Sequence, residues 1–97
     1  MIKKRIPNLL RRYRKARGLS QRQAARILGI GSTSMISRWE KGISLPNTLN
    51  VFKLALLYRT MADPMFPDLT RMLRDELIKR EEQMGRANQI SQIEAKL

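Results

Sequence analysis

The sequence predicts an all-α fold, with five helices in one domain and an additional C-terminal helix. Apolar residues recur at spacings of three and four along most of the chain, as in amphipathic helices, and no segment alternates as a half-buried strand would. Helix-capping residues precede these segments, and glycines follow several of them. With 97 residues, 42% of them hydrophobic, the chain is long enough for one compact domain and a short appendage.

The first two predicted helices are bounded by clear end signals. The first opens at Pro7, whose missing N–H costs nothing in a first turn. The second begins at Ser20, because Ser20 and Gln23 have the three-residue spacing of a capping box, and it ends at Gly29. Its core-facing side is expected to comprise Ala24, Ala25, Ile27 and Leu28.

Three more helices complete the predicted domain. Ser32 is the expected cap of the third helix, in which Ile36 and Trp39 are three residues apart and face the core. Asn47 is expected to cap the fourth helix. A short fifth helix is expected to open at Asp63-Pro64. These elements place the domain boundary at residue 66.

Residues 67–97 are predicted to form a C-terminal helix followed by a tail. Pro67 opens the helix, and Gly85 is expected to interrupt it. The polar tail is expected to be disordered, or helical only against a partner. The helix has an apolar stripe that we expect to be buried, either against a second copy of the chain or by folding back on residues 1–66. The stripe comprises Leu69, Met72, Leu73 and Leu77.

Composition excludes several functional classes. The chain has no Cys and no His, which removes disulfides, a thiolate nucleophile, a zinc finger and the commonest general base. No phosphate-binding glycine loop or catalytic motif occurs, so we expect neither an enzyme nor a bound metal or cofactor. No apolar run of about 18 residues exists to span a membrane, and no secretory signal is present. We therefore expect a cytoplasmic protein.

The formal net charge of +12 is concentrated in the N-terminal part of the chain. Residues 1–39 contain eleven of the 20 Lys and Arg residues and no acid, whereas residues 40–97 contain nine basic and eight acidic residues. A field of this strength attracts polyanions. Nucleic acid, an anionic lipid surface and an acidic protein are the candidate partners that charge alone leaves open.

A recognisable motif lies within this basic region. Two short helices joined by Gly29-Ile30-Gly31 have the layout of a helix-turn-helix, whose second helix enters the major groove of DNA. The segments LSQRQAARILGI (19–30) and ISRWEKG (36–42) resemble the phage repressor and Cro family, also called XRE-like. The resemblance extends over about residues 7–66 and implies a lambda-repressor-like domain of five helices.

The resemblance also locates the helix-turn-helix at residues 20–42 and the recognition helix at 32–41. One departure concerns the turn, where five residues separate Ile30 from Ile36 and the family usually has four. We expect the additional residue at Gly31, because glycine tolerates unusual backbone angles.

Several side chains are expected to contact double-stranded DNA. The resemblance implies that Gln21 bonds a phosphate and braces the recognition helix, and that Lys41 bonds another phosphate. Arg38 is the expected base reader, because its planar fork matches the O6 and N7 of guanine, with a phosphate contact as the alternative. Shorter hydroxyl side chains complete the set, namely Thr33, Ser34, Ser37 and Ser32, the last more a cap than a reader.

Two further groups are expected to act on this surface. The arm formed by Lys3, Lys4 and Arg5 either reaches along the DNA backbone or into the minor groove, or is a solubilising tail. The resemblance implies a salt bridge between Arg14 and Glu40, which would neutralise the first acid of the chain.

Together these features predict a sequence-specific DNA-binding transcriptional regulator, most simply a homodimeric repressor that blocks a promoter. The alternative is the antitoxin of a toxin–antitoxin pair, which would repress its own operon and bind a protein toxin through residues 67–97. A module that binds anionic lipid is disfavoured, because the basic residues are spread over several short helices.

Overall fold

The computed structural model describes residues 4–96 and shows six α-helices and no strand within that range. The helices are α1 (Leu10–Ala16), α2 (Gln21–Leu28), α3 (Thr33–Glu40), α4 (Thr48–Tyr58), α5 (Ala62–Met65) and α6 (Pro67–Lys96). The predicted all-α fold with an additional C-terminal helix is confirmed. None of the helices in this range is both long and apolar enough to cross a membrane.

Two helices begin at the caps that the sequence predicts. At the start of α2, the Ser20 hydroxyl accepts a hydrogen bond from the backbone N–H of Gln23 at 3.0 Å. The Gln23 side-chain oxygen accepts one in return from the backbone N–H of Ser20 at 2.8 Å. At α4, the Asn47 side-chain oxygen accepts from the backbone N–H of Asn50 at 2.9 Å. Each cap pairs a backbone donor that has no partner within its helix.

Three predicted helix boundaries are wrong. Pro7 precedes α1, and the side-chain oxygen of Asn8 instead accepts the backbone N–H of Leu10 at 3.1 Å. The helix α5 begins at Ala62, so Pro64 lies in its first turn, where a missing N–H removes no helical hydrogen bond. Gly85 does not interrupt α6, because a glycine costs only about 1 kcal/mol relative to alanine within a helix.

One core joins α1 to α5, and its largest almost fully buried side chains are Trp39, Leu10, Ile36, Leu54 and Met65. The helix α3 packs against α1 and α2, and α4 packs against α2 and α5. The prediction that Ile27 faces this core is wrong, since its side chain is 59% exposed. The buried side of α2 is centred on its two alanines and Leu28, which leaves Ile27 at the edge.

The helix α6 leaves the domain after its first turn. Leu69 packs against the core, but all residues from 71 to 86 are exposed. The described chain is consequently elongated, with a longest dimension of 66 Å. The described part of α6 therefore does not fold back on residues 1–66, which was one of the two predicted ways of burying the apolar stripe.

Candidate nucleic-acid interface

The helices α2 and α3 form a helix-turn-helix whose turn comprises residues 29–32. Gly29 ends α2 in the left-handed conformation, with φ of +73°, and its N–H bonds the carbonyl of Arg26 at 3.1 Å. Ile30 follows and packs against the core, which fixes the direction in which α3 starts. The backbone of Gly31 is not left-handed, and a Cβ at this position would meet no atom within 4 Å. The additional residue of the turn therefore does not need to be glycine.

The side of α3 opposite the core carries the predicted reading residues. Four of these residues share the side that faces away from Ile36, because they are spaced by three, one and three positions: Ser34, Ser37, Arg38 and Lys41. Ser34, Arg38 and Lys41 are exposed, and Ser37 is half-buried. Two long cations and two short hydroxyls on one side of a helix are suited to contacts with base edges and phosphates.

The first turn of α3 adds three side chains to this surface. Thr33 is exposed, as expected of a contact residue. Ser32 holds the predicted N-cap position, but its hydroxyl makes no capping bond. That hydroxyl lies instead 2.5 Å from the Ser34 hydroxyl. Met35 is 39% exposed and presents an apolar group of the kind that contacts thymine methyls.

A buried ion pair fixes α3 against the two preceding helices. The predicted salt bridge between Arg14 and Glu40 is present and bidentate, with Nε–Oε2 at 2.6 Å and a second guanidinium nitrogen 3.1 Å from Oε1. Both side chains are less than 10% exposed. The guanidinium also donates to the carbonyl of Leu19 at 2.7 Å. The hydrogen bonds that Arg14 donates to Glu40 stabilise its cationic form and raise the pKa of Arg14 above its ordinary value.

Gln21 connects this ion pair to the proposed DNA surface. Its amide nitrogen donates to Oε1 of Glu40 at 3.1 Å, which braces the first residue of α2 against the last residue of α3. Because a side-chain amide has two N–H groups, the second remains able to donate to a phosphate oxygen. The sequence predicted both roles for Gln21, and the brace is the one that the hydrogen bonds establish.

A recess of about 400 Å³ opens above the ion pair, where α1, α2 and α3 meet. Its rim combines the donors of Arg11, Gln21, Ser37 and Lys41, and the neutralised Arg14–Glu40 pair lies at its base. Such a ring of donors suits a phosphate group. Sequence reasoning missed Arg11, although it stands three residues before Arg14 and so nearly on the same side of α1.

The N-terminal arm is attached to the end of α3. The backbone N–H of Ile6 donates to the carbonyl of Gly42 at 3.0 Å, and the Asn8 amide donates to the carbonyl of Trp39 at 2.8 Å. Gly42 has φ of +72°, and a Cβ there would collide with the backbone oxygen of Ile6. Lys4 and Arg5 are exposed just before this anchor, so they lie near the C-terminal end of α3. Lys3 lies outside the described residues.

Comparison with known proteins agrees with this geometry. The family model described as helix-turn-helix, that of the XRE-like proteins, matches residues 10–60, slightly more than half of the chain. No curated protein and no solved structure gives a significant match. The family is one of DNA-binding regulator domains, not typically of enzymes. The chain therefore belongs to the XRE-like, or Cro-like, family of helix-turn-helix DNA-binding proteins.

Proposed function

We propose that the protein is a homodimeric transcriptional repressor that reads an operator through the exposed side of α3. The observation that carries this proposal is the composition of that side, where Arg38 and Ser34 are exposed within an acid-free basic region. The nearest acid, Glu40, is buried and paired, so it does not repel the phosphates of an approaching duplex.

Each contact has a distinct role in this proposal. Arg38 reads a guanine in the major groove, and Thr33, Ser34 and Met35 contact the neighbouring bases. Gln21, Arg11, Ser37 and Lys41 hold one phosphate in the recess between α1, α2 and α3. Lys4 and Arg5 hold the backbone beyond the end of α3, and Ser32 contributes only through its bond to Ser34. Two copies would read half-sites about 34–36 Å apart, and repression follows from occlusion of the promoter.

Fluorescence anisotropy tests this proposal with two duplexes, the DNA upstream of the protein's own gene and a random duplex of equal length. The intact protein is expected to prefer the upstream DNA by about 10³-fold or more at physiological salt. Arg38→Ala should reduce that preference by about 5- to 150-fold, the equivalent of 1–3 kcal/mol. Lys41→Ala should weaken binding to both duplexes similarly.

The matched control for both variants is Arg71→Ala on α6, which removes one positive charge from an exposed site away from α3. It is expected to leave the preference between duplexes unchanged. A preference near one for the intact protein, with upstream DNA that covers the whole intergenic region, would refute sequence-specific regulation. Equal losses in Arg38→Ala and Arg71→Ala would refute the assignment of Arg38.

An antitoxin is the second candidate function, and the exposed apolar side of α6 favours it because a protein toxin needs such a surface. Co-expression with the adjacent gene discriminates the two. Growth arrest by the neighbour alone, relieved by the intact protein but not by a Leu77→Asp variant, would support an antitoxin. A neighbour that has no effect on growth would leave the repressor proposal as the simpler one.

A further inference from the structure

We infer that α6 pairs in antiparallel orientation with α6 of a second copy of this chain, and that the two helices cross between Leu77 and Ile78. The inference rests on the homodimer proposed above and specifies how its two copies are held. It follows from the apolar side of α6, the charges beside it, the length of the helix and a pocket on α4 and α5.

The apolar side of α6 forms a seam that the described chain leaves uncovered. Its four residues lie along one side of the helix, because they are spaced by three, four and seven positions: Thr70, Leu73, Leu77 and Met84. Leu77, at the centre, is 56% exposed. The first part of the seam forms one wall of an open groove of about 440 Å³ whose other wall includes Asp63 of α5. A helix laid against the seam would therefore enter a surface that is already concave.

The charges beside the seam decide the orientation of the partner helix. Arg74 and Glu81 flank the seam on the same edge, and their seven-residue separation of about 10 Å along the axis is too long for a mutual ion pair. Neither residue takes part in an ion pair of residues 4–96. In an antiparallel pair, Arg74 of each copy lies opposite Glu81 of the other. In a parallel pair in register, Glu76 of each copy lies opposite Glu81 of the other, which is repulsive.

The length of α6 agrees with the spacing that DNA requires. Pairing of Arg74 with Glu81 sets the crossing point midway between residues 77 and 78. Pro67 stands about ten residues before that point, so the first residues of the two helices are separated by about 32 Å along the axes. Half-sites one turn apart on B-DNA are separated by about 34–36 Å. The antiparallel pair therefore places the points where the two DNA-binding domains join α6 at a separation close to one turn of the duplex.

The pair also covers the second exposed apolar region of the molecule. Beyond residue 88, each α6 would extend past Pro67 of the other copy and over its α5. There a pocket of about 340 Å³ is lined by Phe52, Leu56 and Met61, and Leu56 is 80% exposed. Asp63 lines both this pocket and the groove beside the seam, so the two surfaces are continuous.

Sedimentation equilibrium of the full chain tests the orientation by charge reversal. Arg74→Glu and Glu81→Arg are each expected to weaken dimerisation about tenfold, because each turns two attractive contacts into repulsive ones. The double variant should recover the intact chain's dimerisation constant within about threefold, since the pairs are restored with exchanged signs. Glu82→Arg, one residue further round the helix, is the matched control and should leave dimerisation unchanged within about threefold. Tighter dimerisation of Glu81→Arg would indicate a parallel pair and overturn the inference.

Disulfide trapping gives an independent measurement, because the chain has no cysteine. A variant with both Leu73→Cys and Met84→Cys should form covalent dimers on mild oxidation. Leu73→Cys alone should not, because the two copies of residue 73 would be about 13 Å apart along the antiparallel pair, too far for a disulfide. Efficient cross-linking of Leu73→Cys alone would overturn the inference.

Failure of the inference and failure of the proposed function give different results. A chain that discriminates its upstream DNA and dimerises, but whose dimerisation is unchanged by Arg74→Glu and Glu81→Arg, overturns the inference alone. A chain that forms the antiparallel dimer but does not discriminate between duplexes overturns the proposed function alone.

Discussion

At the scale of single residues, Glu40 and Arg14 link the fold to the charge of its surface. Glu40 is the first acid of the chain, yet its carboxylate is enclosed by Arg14 and Gln21 and contributes little negative field to the outside. An unpaired carboxylate at this depth would cost several kcal/mol, and the bidentate guanidinium offsets that cost. Because the two partners are 26 residues apart, the pair also fixes the orientation of α1 relative to α3.

Tyr58 is the second buried titratable group near this pair. Its side chain is buried at the end of α4, and its hydroxyl has no hydrogen-bond partner among the described residues. Burial, aided by the negative charge of Glu40, raises the pKa of Tyr58 to about 12. The folded protein therefore keeps the phenol protonated at pH values at which an unfolded chain, with a tyrosine pKa of 10.0, has lost the proton.

We predict that this difference makes the free energy of unfolding fall as the pH rises from about 10 to about 12. A group whose pKa is raised by folding contributes fully below its unfolded pKa and loses that contribution as the pH approaches its folded pKa. In Tyr58→Phe this part of the decline should disappear. At pH 7 the variant should be as stable as the intact protein or up to about 1 kcal/mol more stable, because it removes an unpaired hydroxyl.

Urea unfolding of both proteins between pH 7 and pH 12 measures the effect. The difference between the two curves isolates Tyr58, because the two proteins differ at that residue alone. Curves that stay parallel above pH 10 would contradict the prediction.

At the scale of helices, the sequence predicted those ends that are determined by neighbouring residues. The capping box of Ser20 and Gln23 and the cap at Asn47 form within single turns, so their spacing contains the whole signal. The start of α1 depends on Asn8, whose amide also bonds the carbonyl of Trp39, 31 residues away. No local pattern reports such a contact, and Pro7 was the stronger local signal.

The candidate site likewise has features that the sequence predicts and features that depend on contacts between distant residues. The pairing of Arg14 with Glu40 was predictable, because the resemblance to the family implies a salt bridge between the acid of the 36–42 segment and an arginine of the first helix. The recess that brings Arg11 beside Lys41, and the anchoring of the arm at Gly42, exist only once three helices and the N-terminal segment have packed together. Residue types alone could not distinguish Arg11 from the other arginines of α1.

We predict that the two glycines in the turn of the helix-turn-helix differ in how alanine substitution changes the free energy of unfolding. Gly29→Ala forces an L-residue into a left-handed conformation and should lower the free energy of unfolding by about 1–2 kcal/mol. Gly31→Ala has room for its methyl group and no positive φ, so it should be neutral or raise stability by up to about 1 kcal/mol through a less flexible unfolded chain.

Chemical denaturation of the two variants, each compared with the intact protein, measures this contrast. The pair controls for length, charge and polarity, because both variants add the same methyl group within three residues. Equal destabilisation by both would mean that the additional residue of the turn does require glycine.

At the scale of the whole molecule, charge and apolar surface are separated along the chain. The basic region extends from the N-terminal arm through α3, whereas α6 has mixed charges and the longest exposed apolar side. This separation allows one end to bind a polyanion while the other binds protein. The net charge of +12 is therefore a poor measure of how many cations can contact a duplex, because Arg14 is buried and several other cations lie on α6.

The salt dependence of DNA binding tests this separation. If Lys4 and Arg5 each neutralise one phosphate and Arg11 and Lys41 share a third in each copy, a dimer makes about six such contacts, and the slope of log K against log salt should be about −5. Lys4→Ala with Arg5→Ala should make the slope less steep by about 3–4 in the dimer, because the arm is anchored at Gly42 beside α3.

The matched control is Arg71→Ala with Lys79→Ala, which removes the same charge from exposed positions of α6 away from the proposed seam. Anisotropy titrations of the three proteins at several salt concentrations give the slopes. Because counterion release counts local phosphate contacts, the control should change the slope by less than about 1. If both double variants reduce the slope equally, the arm acts only through net charge and is a solubilising tail. If only the arm variant does so, its attachment to the end of α3 directs two cations of each copy onto the DNA backbone.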